Sequence, residues 1–385
     1  RCARQADYIV IVADAAGDAA PGEIETLVLP SHAARTGRTL ALVHRDRRTT
    51  PSGTARWLAS RHVDRHVHLA LEDDRDCDRL ARLIAGSAVG LALGGGFARG
   101  LAHLGVLRAM EELGIAVDLV GGSSMGGMIG AMWALGWDPA QIAQRTSRAF
   151  HDSFDDMTLP FLSFKKGGNH SRVLRGFFGT EQIEDLWVPY FCVSTNLNRS
   201  EVKIHSSGPL ADAVLASTRA PGIFPPLVMD GELHVDGGLI NNVPVDVMRS
   251  FCNNGNVVGV DVSPPHELHE IVNYGDAISG WQAAWRRFNP NREKRVYHPS
   301  ILLVLMRVIE FGGISFRRQK AETADVYISP DLIRFKRNDF QEAAAIAEAG
   351  YQAARPALAA WLAGDLKGSR ILNDAAAVGA APGSR

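Results

Sequence analysis

Residues 117–133 read VDLVGGSSMGGMIGAMW, and this stretch decides the fold. Val117, Leu119 and Val120 have the apolar pattern of a short buried strand. Gly121 and Gly122 follow, allowing a turn that side chains would block. After Ser124, the apolar residues Met128, Ile129, Met132 and Trp133 recur at helical spacing. Strand, turn and helix place Gly122-Ser123-Ser124-Met125-Gly126 at the bend, a G-x-S-x-G nucleophile elbow with Ser124 at a helix N-terminus. The free N–H groups and the helix dipole there favour a developing negative charge. In a chain with 38 glycines among 385 residues, a chance match to the pattern is about a one-in-five event, so the motif alone decides nothing. A serine capping a helix is also ordinary. The flanking sequence has to settle the matter.

Upstream, the apolar run 88–93 (AVGLAL) ends in Gly94-Gly95-Gly96, and a helix with Leu101, Leu104, Leu107 and Met110 on one face follows. Strand, glycine turn and helix thus occur twice before residue 135. This alternation predicts an α/β fold with a mostly parallel central sheet and helices on both faces. The glycine turn at 94–96 offers backbone N–H groups to an anion. Its spacing does not fit a dinucleotide fingerprint, so beside a serine elbow it reads as an oxyanion hole. Downstream, 190–195 and 201–206 read as strands and 210–217 as a helix. The Asp230-Gly231 turn makes 228–235 a hairpin. That hairpin delivers Asp236-Gly237-Gly238. On its own, Asp236 reads as an Asx-type turn residue before two glycines. Residues 256–262 form the last core strand.

Residues 1–70 read as a small α/β unit with strands at 8–12 and 40–43 and a helix at 54–60, and 73–84 as a charged helix leading into the main domain. His62, His66 and His68 sit in RHVDRHVHL, which alternates like a strand, so a structural role outweighs metal binding. Residues 151–169, with Lys165-Lys166, read as a mobile cover over the site. Beyond Pro264, the aromatic and basic cluster of Trp281, Trp285, Arg286, Arg287 and Phe288 and the apolar stretch 301–316 suit either a membrane interface or, more strongly, core helices with basic ends. Residues 340–362 form an alanine-rich helix, and the tail from Lys367 reads as disordered. The expected organisation is an N-terminal α/β segment (1–87), a catalytic domain (88–263), a helical C-terminal extension (264–366) and a tail (367–385).

A composition of 46% hydrophobic and 22% charged residues is that of an ordinary globular protein, and a formal net charge of −1 gives no reason to expect nucleic acid as a partner. The four cysteines are scattered, which predicts a reduced, cytoplasmic chain without a disulfide frame or zinc site. No apolar run reaches the length of a membrane span. The chain begins with Arg1 and runs almost at once into a strand, which reads as a fragment whose native N-terminus lies upstream.

Three motifs stand in order: GGGFARG (94–100), GGSSMGG (121–127) and DGGLINNVP (236–244). Together they resemble the patatin-like phospholipases, and STNLNRSE (194–201) and STRAPGIFPPL (217–227) resemble the bacterial relatives of neuropathy target esterase within that family. The resemblance is strongest over 88–263, and residues 1–70 resemble the segment that precedes the catalytic domain in that subgroup. It implies a three-layer patatin fold and a serine lipid acyl hydrolase that needs no cofactor or metal. Phospholipid or lysophospholipid would be the substrate, met through peripheral contact with a membrane. It also implies a cyclic-nucleotide-binding region upstream in the full-length protein. Carried over by position, Ser124 is the nucleophile and Asp236 its partner. Gly122 and Gly126 frame the elbow, and Gly237 and Gly238 complete the D-G-G motif. Gly94, Gly95 and Gly96, with the Met125 N–H, form the oxyanion hole, and Arg99 supports the loop. Asn241 and Asn242 read as turn and capping residues. The family commonly has glycine two residues before this Arg, where Phe97 stands here. The glycines are therefore displaced by one position.

Two other classes remain open from the residues. A Ser-His-Asp α/β-hydrolase is available in chain order, because His266, His269 and His298 follow Asp236. A binding module would use the two glycine turns to hold a nucleotide or lipid head group without catalysis.

Overall fold

In a computed structural model, residues 6–28, 37–153, 156–263, 276–287, 304, 317–364 and 369–371 are described. Short strands alternate with helices along most of the chain, as the pattern of glycine turns predicts. The N-terminal unit contains β1 (Tyr8–Asp14), α1 (Glu23–Val28), β2 (Gly37–His44), α2 (Thr54–Ala59), β3 (Arg65–Ala70) and α3 (Asp74–Ala85). Its three strands form a parallel sheet in the order β1-β2-β3.

This small sheet is tied to the larger domain through the loop at 184–187. The rings of His66 and His68 each place Nε2 2.9 Å from the Glu184 carbonyl, and the Arg79 guanidinium donates to the Trp187 carbonyl. The N-terminus of α2 is closed by the Asp185 carboxylate, which accepts from the Thr54 N–H at 2.9 Å. Burial drives His68 down to about 3 and lowers His66, which favours uncharged rings beside the Glu184 carbonyl. Among the described residues no group of His, Cys, Asp and Glu could hold a metal ion.

The larger domain begins with β4 (Val89–Leu93), α4 (Ala102–Glu112), β5 (Leu119–Ser123), α5 (Met125–Ala134), α6 (Pro139–Ser153) and α7 (Gly168–Phe178). It continues with β6 (Tyr190–Asn196), β7 (Glu201–His205), α8 (Leu210–Ser217), β8 (Leu227–Met229), β9 (Glu232–Asp236), α9 (Val245–Cys252) and β10 (Asn256–Val260). After α10 (Gly280–Arg287) come α11 (Arg317–Thr323), β11 (Val326–Ile328), α12 (Ala343–Leu362) and β12 (Ser369–Ile371). Among the described residues the large sheet has nine strands, and β12, β11, β10, β4, β5 and β6 lie side by side and parallel. β4 and β5 are buried along their whole length, as expected for parallel strands covered on both faces.

The pairing on β6 is the feature that places the site. Val193 faces both Ser123 of β5 and Ile204 of β7, and Ser194 faces both Lys203 of β7 and Asp236 of β9. A strand has two edges, so β7 holds one and β5 and β9 share the other. β5 runs parallel to β6 and β9 antiparallel, so their C-terminal ends meet at adjacent residues of β6.

The alanine-rich helix α12 lies against α4, with Ile346, Gly350, Ala354, Ala357 and Leu358 buried. Its contact with α4 is backbone-close: a Cβ on Gly105 would lie 1.8 Å from the Ala347 carbonyl oxygen, and one on Gly350 2.0 Å from that of Ala102. The helices α6, α7 and α9 and the strand β11 were not read from the sequence. In the tail expected to be disordered, residues 369–371 add an edge strand to β11. The apolar stretch 301–316 lies outside the described residues, apart from the helical residue 304. Among the described residues no helix is long and apolar enough to cross a membrane.

Replacing Gly105 with alanine should therefore destabilise the protein by about 1–3 kcal/mol or more through overpacking at the α4–α12 crossing. Gly176→Ala on the exposed face of α7, where nothing lies within 4 Å of the added methyl, should be neutral or slightly stabilising. Thermal melting of the two variants tests this directly.

Candidate active site

β5 ends at Ser123 and the chain turns sharply into α5. Ser124 sits at the turn with φ 52° and ψ −124°, a conformation that non-glycine residues avoid. The flanking glycines exist because backbone touches backbone. A Cβ on Gly126 would be 2.3 Å from the Leu93 carbonyl oxygen, and one on Gly122 would be 2.6 Å from the same atom. The strain at Ser124 is held in place by a contact from α8: the Ser124 N–H donates to Ser217 Oγ at 2.9 Å.

Asp236 ends β9. One carboxylate oxygen, Oδ2, accepts from Ser124 Oγ at 2.6 Å, across 112 residues of sequence. The other, Oδ1, accepts from the Gly238 N–H at 2.8 Å. The Asx turn and the contact with the serine therefore coexist, one oxygen each. The Asp236 main chain is pinned on both sides: its N–H donates to the Arg219 carbonyl at 2.9 Å, and its carbonyl accepts from Thr195 Oγ1 at 3.1 Å. Burial pushes the Asp236 carboxyl up to about 6, against the two hydrogen bonds that favour its ionised form.

The glycine loop lies beside the elbow, and a Cβ on Gly95 would be 2.7 Å from Ser124 Cβ. The loop's hydrogen bonds differ from the simple expectation. The Gly94 N–H donates to the Val260 carbonyl, continuing the ladder to β10, and the Gly95 N–H donates to Asn242 Oδ1 at 3.0 Å. Both donors are thus engaged within the protein. Among the described residues the N–H groups of Gly96, Phe97 and Met125 have no acceptor. Phe97 has φ 52°, so it occupies a backbone region suited to the glycine that the family pattern has there. Arg99 is buried and its Nε donates to the Phe335 carbonyl, while the Ala98 N–H donates to the Arg337 carbonyl. Arg99 thus braces the loop against the C-terminal segment.

Three residues to which sequence reasoning assigned no part in the site shape it. Asn242 pairs with Gly95 as a strand neighbour would, accepting from its N–H and donating from Nδ2 to its carbonyl at 3.2 Å, and it also donates to Ser263 Oγ. His103, fully buried, donates from Nε2 to the Gly94 carbonyl at 2.7 Å, and burial lowers it to about 4. Ser217 holds the elbow. Asn242 stands in the same motif as Asp236, the one local signal for its role, whereas Asn241 binds Asp246 and Lys320. His266, His269 and His298 lie outside the described residues.

Comparison with known proteins agrees with these motifs. Residues 91–249 match the patatin-like phospholipase model, and residues 1–88 match the neuropathy target esterase family P-loop like domain. Mouse patatin-like phospholipase domain-containing protein 6 is 36% identical over 407 residues, covering 95% of this chain and 29% of the relative. Lysophospholipase NTE1 of Cryptococcus neoformans is 30% identical, covering 94% of this chain and 25% of the relative. The chain thus spans between a quarter and a third of the length of these relatives. Among solved structures, VipD from Legionella pneumophila is similar at 15% identity with a TM-score of 0.36, covering 71% of this chain and 67% of that one.

The raised Asp236 carboxyl predicts a measurable conflict with stability. Its folded value of about 6 lies above the unfolded value, so the folded state holds the extra proton between those limits. Stability falls as pH rises through this window, and above it the ionised carboxylate costs about 3 kcal/mol. Asp236→Asn should therefore raise the Tm at pH 7.5, with the gain shrinking as the pH falls towards 4. Calorimetry across that range checks the sign.

Proposed function

The chain belongs to the patatin-like phospholipase family, and from that premise we propose that it is a serine acyl hydrolase releasing fatty acid from phospholipid or lysophospholipid through a Ser124–Asp236 dyad. The observation that carries the reading is the 2.6 Å hydrogen bond from Ser124 Oγ to Asp236 Oδ2. It leaves no room for an imidazole between nucleophile and acid, so a Ser-His-Asp relay through these two residues does not fit. The engaged N–H groups of Gly94 and Gly95 likewise argue against a phosphate-cradling module.

In this mechanism Asp236 Oδ2 takes the Ser124 proton as Oγ bonds to the carbonyl carbon of the acyl ester. The negative charge that develops on the carbonyl oxygen is met by N–H groups from Gly96, Phe97 and Met125. One such donor is typically worth about 3 kcal/mol. Collapse breaks the bond to the glycerol oxygen, which leaves with the proton from Asp236, and the fatty acyl group stays on Ser124. Water, deprotonated by Asp236, then attacks the acyl-enzyme, and fatty acid and free Ser124 result. A base with a value near 6 is ionised at neutral pH yet still basic enough to accept the proton.

Fatty acid release from lysophosphatidylcholine is the direct test. Ser124→Ala and Asp236→Asn should each lower kcat by about a thousandfold or more. In the wild type kcat/KM should fall below a pH of about 6 as Asp236 is protonated. Full activity in either variant would reject the dyad.

A further inference from the structure

Residues 156–166 form a hairpin beside the site, and its tip carries the sequence Met157-Thr158-Leu159-Pro160-Phe161-Leu162. Met157 and Lys165 pair as an antiparallel bridge, and the Thr158 N–H donates to the Phe164 carbonyl. The returning arm is bonded to the protein: the N–H groups of Phe164 and Lys165 donate to the carbonyls of Gly222 and Ile223 at 2.8 and 2.9 Å. This same segment begins at Arg219, whose carbonyl holds the Asp236 N–H. The hairpin base is thus rooted three residues from the group that positions the candidate base.

The tip is apolar and outside the core. Met157 is 62% exposed, Leu159 75%, Phe161 96% and Leu162 70%. Four large apolar side chains within six residues are held in water on a hydrogen-bonded frame, whereas such residues normally pack inward. We propose that this hairpin inserts into a phospholipid surface and so presents acyl chains to the dyad. The proposal rests on the lipid-hydrolase reading for its purpose, although insertion itself does not need catalysis.

The shape favours a lipid surface over a protein partner. The exposed apolar side chains are gathered within six consecutive residues around one turn, and Phe161 is 96% exposed. A tip of this kind reaches the boundary between headgroups and acyl chains. Lys166, exposed at the base, complements lipid phosphates at the level where the hairpin would leave the membrane.

Co-sedimentation with vesicles of phosphatidylcholine and phosphatidylserine tests the proposal. The wild type and Ser124→Ala should bind alike. Phe161→Asp and Leu162→Asp should bind about tenfold more weakly while hydrolysing a soluble short-chain ester at the wild-type rate. Phe161→Trp supplies an independent measurement: its added fluorescence should be quenched by brominated acyl chains. Vesicle binding by the Asp variants equal to that of the wild type, or absence of quenching, overturns the proposal. So does a wild type that ignores vesicles and dimerises through the tip, with the Asp variants monomeric. Tip-dependent binding without fatty acid release by the wild type would instead reject the hydrolase reading and leave the hairpin proposal standing.

Discussion

The arrangement of this protein depends on two strands sharing one edge of a third. β5 and β9 end against neighbouring residues of β6, Val193 and Ser194, from opposite directions. Their last residues therefore meet, and the next turn brings Ser124 Oγ to Asp236 Oδ2. The crowding at that meeting point accounts for the surrounding composition. A Cβ on Gly237 would lie 2.2 Å from the Val193 carbonyl oxygen, just as Gly122 and Gly126 admit the Leu93 carbonyl on the other side. Glycines here are demanded by contact between main chains.

Electrostatics follows from the same geometry. Closing two strand ends over each other removes water from Asp236, and burial raises its carboxyl towards neutrality. One oxygen is fixed by the Gly238 N–H, which leaves the other for the serine. The group is then held in the form most useful to catalysis and least comfortable for folding. The positive φ at Ser124 is a second such tension, held by the Ser217 hydroxyl and the helix that follows.

The turn at Ser124 was legible in a local motif whose glycines record the crowding around it. Asp236 on its own looked like an Asx-type turn residue and was joined to Ser124 only by the resemblance carried by the three ordered motifs. The residues that complete the site were not legible. Asn242 reaches Gly95 across 147 positions, and Ser217 reaches Ser124 across 93. A buried amide and a buried hydroxyl leave no local trace of such partners, so Asn242 looked like a turn residue. The glycine loop at 94–96 was legible as a loop but not in its bonding, because engagement of the Gly94 N–H depends on the register between β4 and β10. Fold class followed from repeated strand–turn–helix units. The shared edge of β6 did not, since strand adjacency is set by long-range pairing. His66 and His68 alternate along β3, but their common partner, the Glu184 carbonyl, lies 116 residues beyond His68 and leaves no local trace.

The central claim is that Asp236 activates Ser124 directly, and covalent labelling by a fluorophosphonate measures that reactivity at a single atom. The account predicts one adduct per folded wild-type chain, mapped by mass spectrometry to Ser124, with a labelling rate that collapses in Asp236→Asn although that variant remains folded. An adduct on another residue, or undiminished labelling of Ser124 without the Asp236 carboxylate, would contradict it.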